Sequence, residues 1–245
     1  MAGAHNPLSQ FEIRRLVPIE IGGYDLSFTN SSAYMVLAAG LITVLFTASM
    51  GARAMVPGRL QSLQEMAYEF IAGMLRDSVG SEGRAYFPFV FTLFMFILFC
   101  NLLGMVPYSF TVTSHIIVTF ALAIVVFVGV TAIGLVRHGL HFLAFFVPKG
   151  VPWWILPLLV PIEVMSYFIR PMTLSVRLFA NMLAGHMMLK VFGGFVVALG
   201  IVGGWAPLAF IVALTGLEVL IAVLQAYVFT VLTCLYLNDA IHLSH

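Results

Sequence analysis

Three charged side chains, Glu163, Arg177 and Glu218, stand within long apolar runs. A charge at bilayer depth costs ~2.5–3.5 kcal/mol on insertion scales, so each needs a partner, a water-filled cavity or a task. On a helical wheel at about 100° per residue with Arg177 as origin, Glu163 falls at about 40°, Ser166 at about −20° and Arg170 at about 20°. Thr173 falls at about −40° and Asn181 at about 40°, so the polar residues form one narrow stripe. His186 lies about 180° from Arg177 and, on a straight helix, addresses a different environment. Further along, Glu218 and Gln225 are about −20° apart in phase and roughly 10.5 Å apart in rise, lining one face to which Tyr236 returns. One buried cation, two buried titratable groups and amides between them are the parts of an ion or proton pathway.

Plainer readings stand beside this one. Ser166, Thr173 and Gln225 equally suit interhelical hydrogen bonding. Asn101 within a span, His115 at the mouth of another and Arg170 read as structural polar residues. A salt bridge between Glu218 and His186 is the simple alternative for those two, and that pairing would itself serve proton movement. Arg177 resists a structural reading, because Leu174, Val176, Leu178 and Phe179 surround it mid-helix, where snorkelling has furthest to reach. His138, His141, His242 and His245 read as solvated. The sequence has no phosphate loop, no Gly-x-Gly-x-x-Gly, no zinc spacing and no serine elbow. No catalytic residue, metal or cofactor is therefore expected.

The elements that carry these residues must lie in lipid. The chain has 245 residues, 62% of them hydrophobic and 9% charged, against the ~25% charged residues usual in soluble domains. A mean hydropathy of +1.07 leaves too few polar side chains to cover a water-facing surface. Thirteen of the 21 charges fall in residues 1–84 and eight in the remaining 161. A net charge of +1 with no basic stripe excludes a nucleic-acid partner. Cys100 and Cys234 sit in apolar runs and read as small buried hydrophobes.

The predicted fold class is an all-α polytopic membrane protein. Residues 1–30 form a polar tail with no signal peptide, followed by a single membrane domain over 31–245. Within it, 31–50 is a first span, 58–79 an amphipathic helix on the membrane surface or a partner, and 86–106 with 115–136 a hairpin. Two long helices follow at 153–195 and 205–238, with a linker around Pro148, Lys149 and Gly150 before them. The apolar stretch from Trp154 to about Phe195 is about twice a perpendicular span, so it lies steeply tilted or breaks at Pro157, Pro161 or Pro171. Lys and Arg near the span ends, Arg53 among them, put the N-terminus outside and the C-terminus inside after five crossings.

The segment Arg170-Pro-Met-Thr-Leu-Ser-Val-Arg177-Leu-Phe-Ala-Asn181-Met-Leu-Ala-Gly-His186 resembles the signature of subunit a of F-type ATP synthases, the stator half of the membrane proton channel. Asn101-Leu-Leu-Gly-Met-Val-Pro107, Pro161-x-Glu163 and Leu224-Gln-Ala-Tyr-Val-Phe229 are similar to that family too, from about residue 85 onward. The resemblance implies one transmembrane helix, an amphipathic surface helix, a membrane hairpin and two long tilted helices packed against a ring of c subunits. It makes Arg177 the essential stator arginine between two offset half-channels. One half-channel would run past His186, Glu218, Asn181 and Gln225, the other near Glu163, Ser166 and Thr173. Implied partners are the c-subunit ring, the b-type subunits of a peripheral stalk, the rest of the synthase and membrane lipid. His186, Glu218 and Gly104 point to an alphaproteobacterial or mitochondrial-like lineage, hence a bacterial inner membrane or, alternatively, a mitochondrial one. The competing reading is a self-contained secondary transporter or anion channel with Arg177 binding the substrate, though the chain lacks the paired halves common in such proteins. A structural scaffold would leave the polar stripe without purpose.

Overall fold

The computed structural model describes residues 12–18, 20–21, 24–25, 27–50, 58–106, 109–139, 142, 146–147 and 152–242. The linker at Pro148, Lys149 and Gly150, together with Arg53, Pro107, His141 and His245, lies outside the described residues.

Six helices dominate: α1 (Asn30–Met50), α2 (Arg59–Val79), α3 (Phe87–Gly104), α4 (Ile116–His138), α5 (Leu156–Gly203) and α6 (Trp205–Ile241). All but α2 are long and apolar enough to cross a membrane. In hydrocarbon every backbone polar group must be satisfied internally, which is what a continuous helix does. The protein is an all-α, multi-pass membrane protein.

The polar segment ahead of α1 carries short strands. β1 (Arg15–Val17) pairs antiparallel with β4 (Phe28–Thr29), and β2 (Glu20–Ile21) with β3 (Tyr24–Asp25). Asn30 fastens this ladder to the helix it begins. Its backbone N–H donates to Arg14 O (3.1 Å), its side-chain Oδ1 accepts from Arg14 N–H (3.2 Å), and its Nδ2 donates to Glu12 O (3.1 Å).

Helix α2 is amphipathic, burying Gln64, Ile71, Leu75 and Val79 against the bundle. Its Gln64 Nε2 donates to Leu45 O of α1 at 2.6 Å. Gly80 ends it with φ +79, a left-handed conformation that glycine adopts without the Cβ penalty.

Helix α6 is the hub, packing against α2, α3, α4 and α5. Its buried side holds Ala222, Ala226, Phe229, Thr230, Thr233, Cys234 and Leu237, and the small residues among them allow close helix approach. Helix α5 packs on both α6 and α4. It houses its long apolar run unbroken: Pro161 and Pro171 sit inside the helix, and the only departure from helical geometry is Gly200 at φ 61, ψ −160. A helix interior loses one hydrogen bond at a proline, whereas a positive φ requires glycine, so the direction changes at Gly200. Gly204 N–H then bonds Gly200 O at 2.9 Å and α6 begins.

The later part of the connection between α3 and α4, residues 109–114, is buried. Phe110, Thr111, Val112, Thr113 and Ser114 are all buried, with a 3-10 turn over Val112–Ser114 packed on α3, α4 and α5. His138 differs from its solvated expectation: half-buried at the end of α4, its Nε2 donates to Ile241 O (3.1 Å) and ties α4 to the end of α6.

Candidate functional site

Helix α5 has two opposed faces. Pro171, Leu174, Ser175, Leu178, Met182 and His186 recur at three- and four-residue spacing and are buried. Met165, Ile169, Met172, Val176, Met188 and Val191 recur on the other side and are exposed. The polar stripe runs along the exposed side: Ser166, Thr173 and Arg177 are exposed, and Glu163, Arg170 and Asn181 half-buried. Because α5 keeps helical dihedrals between Arg177 and His186, the roughly half-turn phase difference between them survives in three dimensions.

The buried face carries the titratable pair. His186 (6% exposed) meets Glu218 (3% exposed), with Nδ1–H donating to Oε1. Gly185 opens the space for it, since a Cβ there would lie 2.8 Å from Glu218 Oε1. The other carboxylate oxygen, Glu218 Oε2, is buried with no hydrogen-bond partner among the described residues. One turn along α6, Asn101 of α3, fully buried, donates from Nδ2 to Ala222 O at 3.1 Å, while its Oδ1 is likewise buried and unbonded among the described residues. The structure therefore brings together Asn101, His186 and Glu218 around the α3–α5–α6 junction.

The exposed face is different in character. Arg177 makes no hydrogen bond or ion pair to any described residue. Asn181 and Gln225 are half-buried and form no hydrogen bond among the described residues. On α5 beside Arg177, Met172 and Val176 present apolar side chains outward, and on α6 Leu217, Leu220, Leu224 and Tyr227 are likewise exposed. Thr173 donates its hydroxyl to Arg170 O at 3.0 Å, a contact within its own helix. Glu163 forms no ion pair among the described residues.

Arg170 is anchored. Its NH1 donates to Asp239 Oδ2 at 3.0 Å, and its guanidinium stacks 5.2 Å from the Tyr236 ring and 5.7 Å from the Tyr167 ring. Tyr167 meets Thr131 of α4 at 2.6 Å between their hydroxyls. Nothing in the spacing signalled Asp239, Tyr167, Thr131 or Gly185 as members of these clusters. The one available sign was that Asp239 is a lone charge near the end of a long apolar run. His115 stacks on Phe110 at 4.9 Å, its Nε2 buried and unbonded among the described residues. Burial lowers its pKa by penalising the charged form.

The family described as ATP synthase A chain matches residues 32–238. A protein of Pelagibacter ubique named ATP synthase subunit a is 58% identical over 243 residues, covering 99% of this chain and 100% of that protein. One of Paramagnetospirillum magneticum with the same name is 61% identical over 244 residues, covering 97% and 99%. One of Mesorhizobium japonicum is 60% identical over 246 residues, covering 98% of each.

Proposed function

Because the chain belongs to the ATP synthase A chain family, we propose that it works as the proton-conducting stator subunit of a rotary ATP synthase. It is a membrane subunit of the F-type ATP synthase complex, and its relatives are alphaproteobacterial. Family membership favours this role over a self-contained transporter or anion channel.

The observation that carries the reading is Arg177: a guanidinium on an outward apolar face with no anion among the described residues of its own chain. In lipid such a group needs a counter-charge from elsewhere. A carboxylate on a neighbouring ring of c subunits supplies one. The guanidinium stays protonated and stabilises that carboxylate as an anion, which promotes proton release and blocks a direct leak.

A proton enters past His186 and Glu218, with Asn181 and Gln225 between them and the exposed face. It neutralises the ring carboxylate, travels round with the ring and leaves near Glu163, Ser166 and Thr173. Arg177 divides the two half-channels. The membrane potential contributes ~2.3 kcal/mol per charge per 100 mV. The peripheral stalk, through b-type subunits, holds this subunit against the turning ring. The seat is the bacterial inner membrane, with the N-terminus outside and the C-terminus inside, a reading supported by the Arg-rich connection between α1 and α3.

The test is Arg177→Ala in inverted membrane vesicles. ATP-driven proton uptake disappears while the soluble head still hydrolyses ATP; normal pumping overturns the assignment.

A further inference from the structure

The turn joining α2 to α3 encloses a cavity of ≈ 560 Å³ at one end of the bundle. Arg76 and Arg84 stand at its edge, both exposed and neither in an ion pair with a described residue. The nearby acids leave them so: Glu82 is held by Arg137 of α4, and Asp77 forms no ion pair among the described residues. The wall is apolar and aromatic, made of Tyr68, Leu75, Phe87 and Pro88. From that wall an aromatic track descends along α3. Tyr68 lies 4.6 Å from Phe87, Phe87 stacks on Phe91 at 5.4 Å, and Phe91 meets Phe46 edge-on at 5.4 Å.

Two uncompensated cations above an apolar track, at the point where a surface helix turns into a span, match one kind of molecule. We propose that this cavity binds the headgroup of an anionic phospholipid, its phosphate between Arg76 and Arg84 and an acyl chain along Phe87 and Phe91. Guanidinium groups bind phosphate bidentately, and basic pockets at a membrane surface select net negative headgroups. A free phosphate ion would gain nothing from the aromatic wall. A zwitterionic lipid, with no net charge, would offset neither of the two positive charges in sum, whereas an anionic headgroup offsets at least one. Gly80 shapes the cavity by holding the turn at φ +79, which a residue with a Cβ adopts only under strain.

The assembled complex in phosphatidylcholine vesicles, titrated with a photoactivatable phosphatidylglycerol, provides the test, read as labelling of the segment 68–91. Each cation near an anionic surface is worth about five-fold in affinity, so Arg76→Gln/Arg84→Gln raises the half-labelling concentration about 25-fold. Arg76→Lys/Arg84→Lys, which keeps the charges but not the bidentate fit, falls between wild type and the glutamine pair, and Arg59→Gln, on α2 but outside the cavity, leaves the labelling unchanged. Unaltered labelling in the glutamine pair overturns the site, and so does equal loss in the lysine pair. Equal labelling by a phosphatidylcholine probe overturns the anionic preference. Displacement by millimolar inorganic phosphate identifies a free-anion site instead.

Discussion

His186 of α5 donates its Nδ1–H to Oε1 of Glu218 on α6, 32 residues away, and the two can meet because residue 185 has no side chain. A Cβ on Gly185 would stand 2.8 Å from Oε1 and 3.1 Å from the carboxyl carbon. The pair is enclosed on the opposite side of α5 from Arg177, so the groups that can exchange a proton and the fixed cation are separated by the thickness of one helix.

Gly185→Ala displaces the Glu218 carboxylate without removing any titratable group. ATP-driven proton uptake by vesicles falls on the order of ten-fold, the usual worth of a misplaced proton-transfer group or more, while the complex still assembles on native gels. Unimpaired uptake would mean that the position of this carboxylate does not matter.

Replacing both partners, His186→Gln with Glu218→Gln, keeps polar side chains of similar reach but removes titration. Proton flux is lost in this variant although the subunit is retained in the complex. Flux at the original level would route the proton elsewhere.

Asn101→Leu deletes the hydrogen bond to Ala222 O and costs about 1 kcal/mol of stability. Thermal unfolding in detergent reads this as a lower midpoint; an unchanged midpoint would show that the bond contributes nothing net.

Arg170→Ala removes the ion pair to Asp239 and both ring contacts. The partners are partly exposed, so the cost is roughly 1 kcal/mol. Arg170→Asp with Asp239→Arg restores most of it in a double-mutant cycle, whereas additive losses would rule out a direct pair.

His115 has a pKa below its usual value because burial disfavours its charged form. Above pH ~6.5 the ring is neutral in folded and unfolded states and contributes no pH dependence. As pH falls below that value the unfolded chain takes up a proton that the folded loop does not, so stability declines down to the depressed folded value. Amide-exchange protection over residues 109–115, corrected for the intrinsic pH dependence of exchange, falls on acidification, and His115→Gln abolishes the trend.

The long helices were legible because eight charges in 161 residues leave apolar runs that only lipid can surround. The wheel also grouped Ser166, Thr173 and Arg177 on one exposed side of α5, and set His186 apart, since no residue before Gly200 leaves helical dihedrals. A wheel shows which residues share a face but not what covers that face, which is why the outward exposure of Arg177 emerged only from the packing. Pairings between elements were less accessible. Asn101 to Ala222, Arg170 to Asp239 and His138 to Ile241 each depend on interhelical register, and register is set by small residues such as Ala222, Ala226 and Gly185. Such residues have no period that a single sequence reveals. The strands within 15–29 are two or three residues long, too short for alternation to register.

The outward guanidinium of α5 also bears on biogenesis. On the proposed function, Arg177, beside the exposed Met172 and Val176, would bear a cost of ~2.5–3.5 kcal/mol at bilayer depth until a partner's carboxylate arrives. On that role a newly inserted copy is a molecule waiting for completion. An order of manufacture follows from the proposed role: a cell would gain by having the ring in place before this chain leaves the insertion machinery, so that the cation never faces lipid alone.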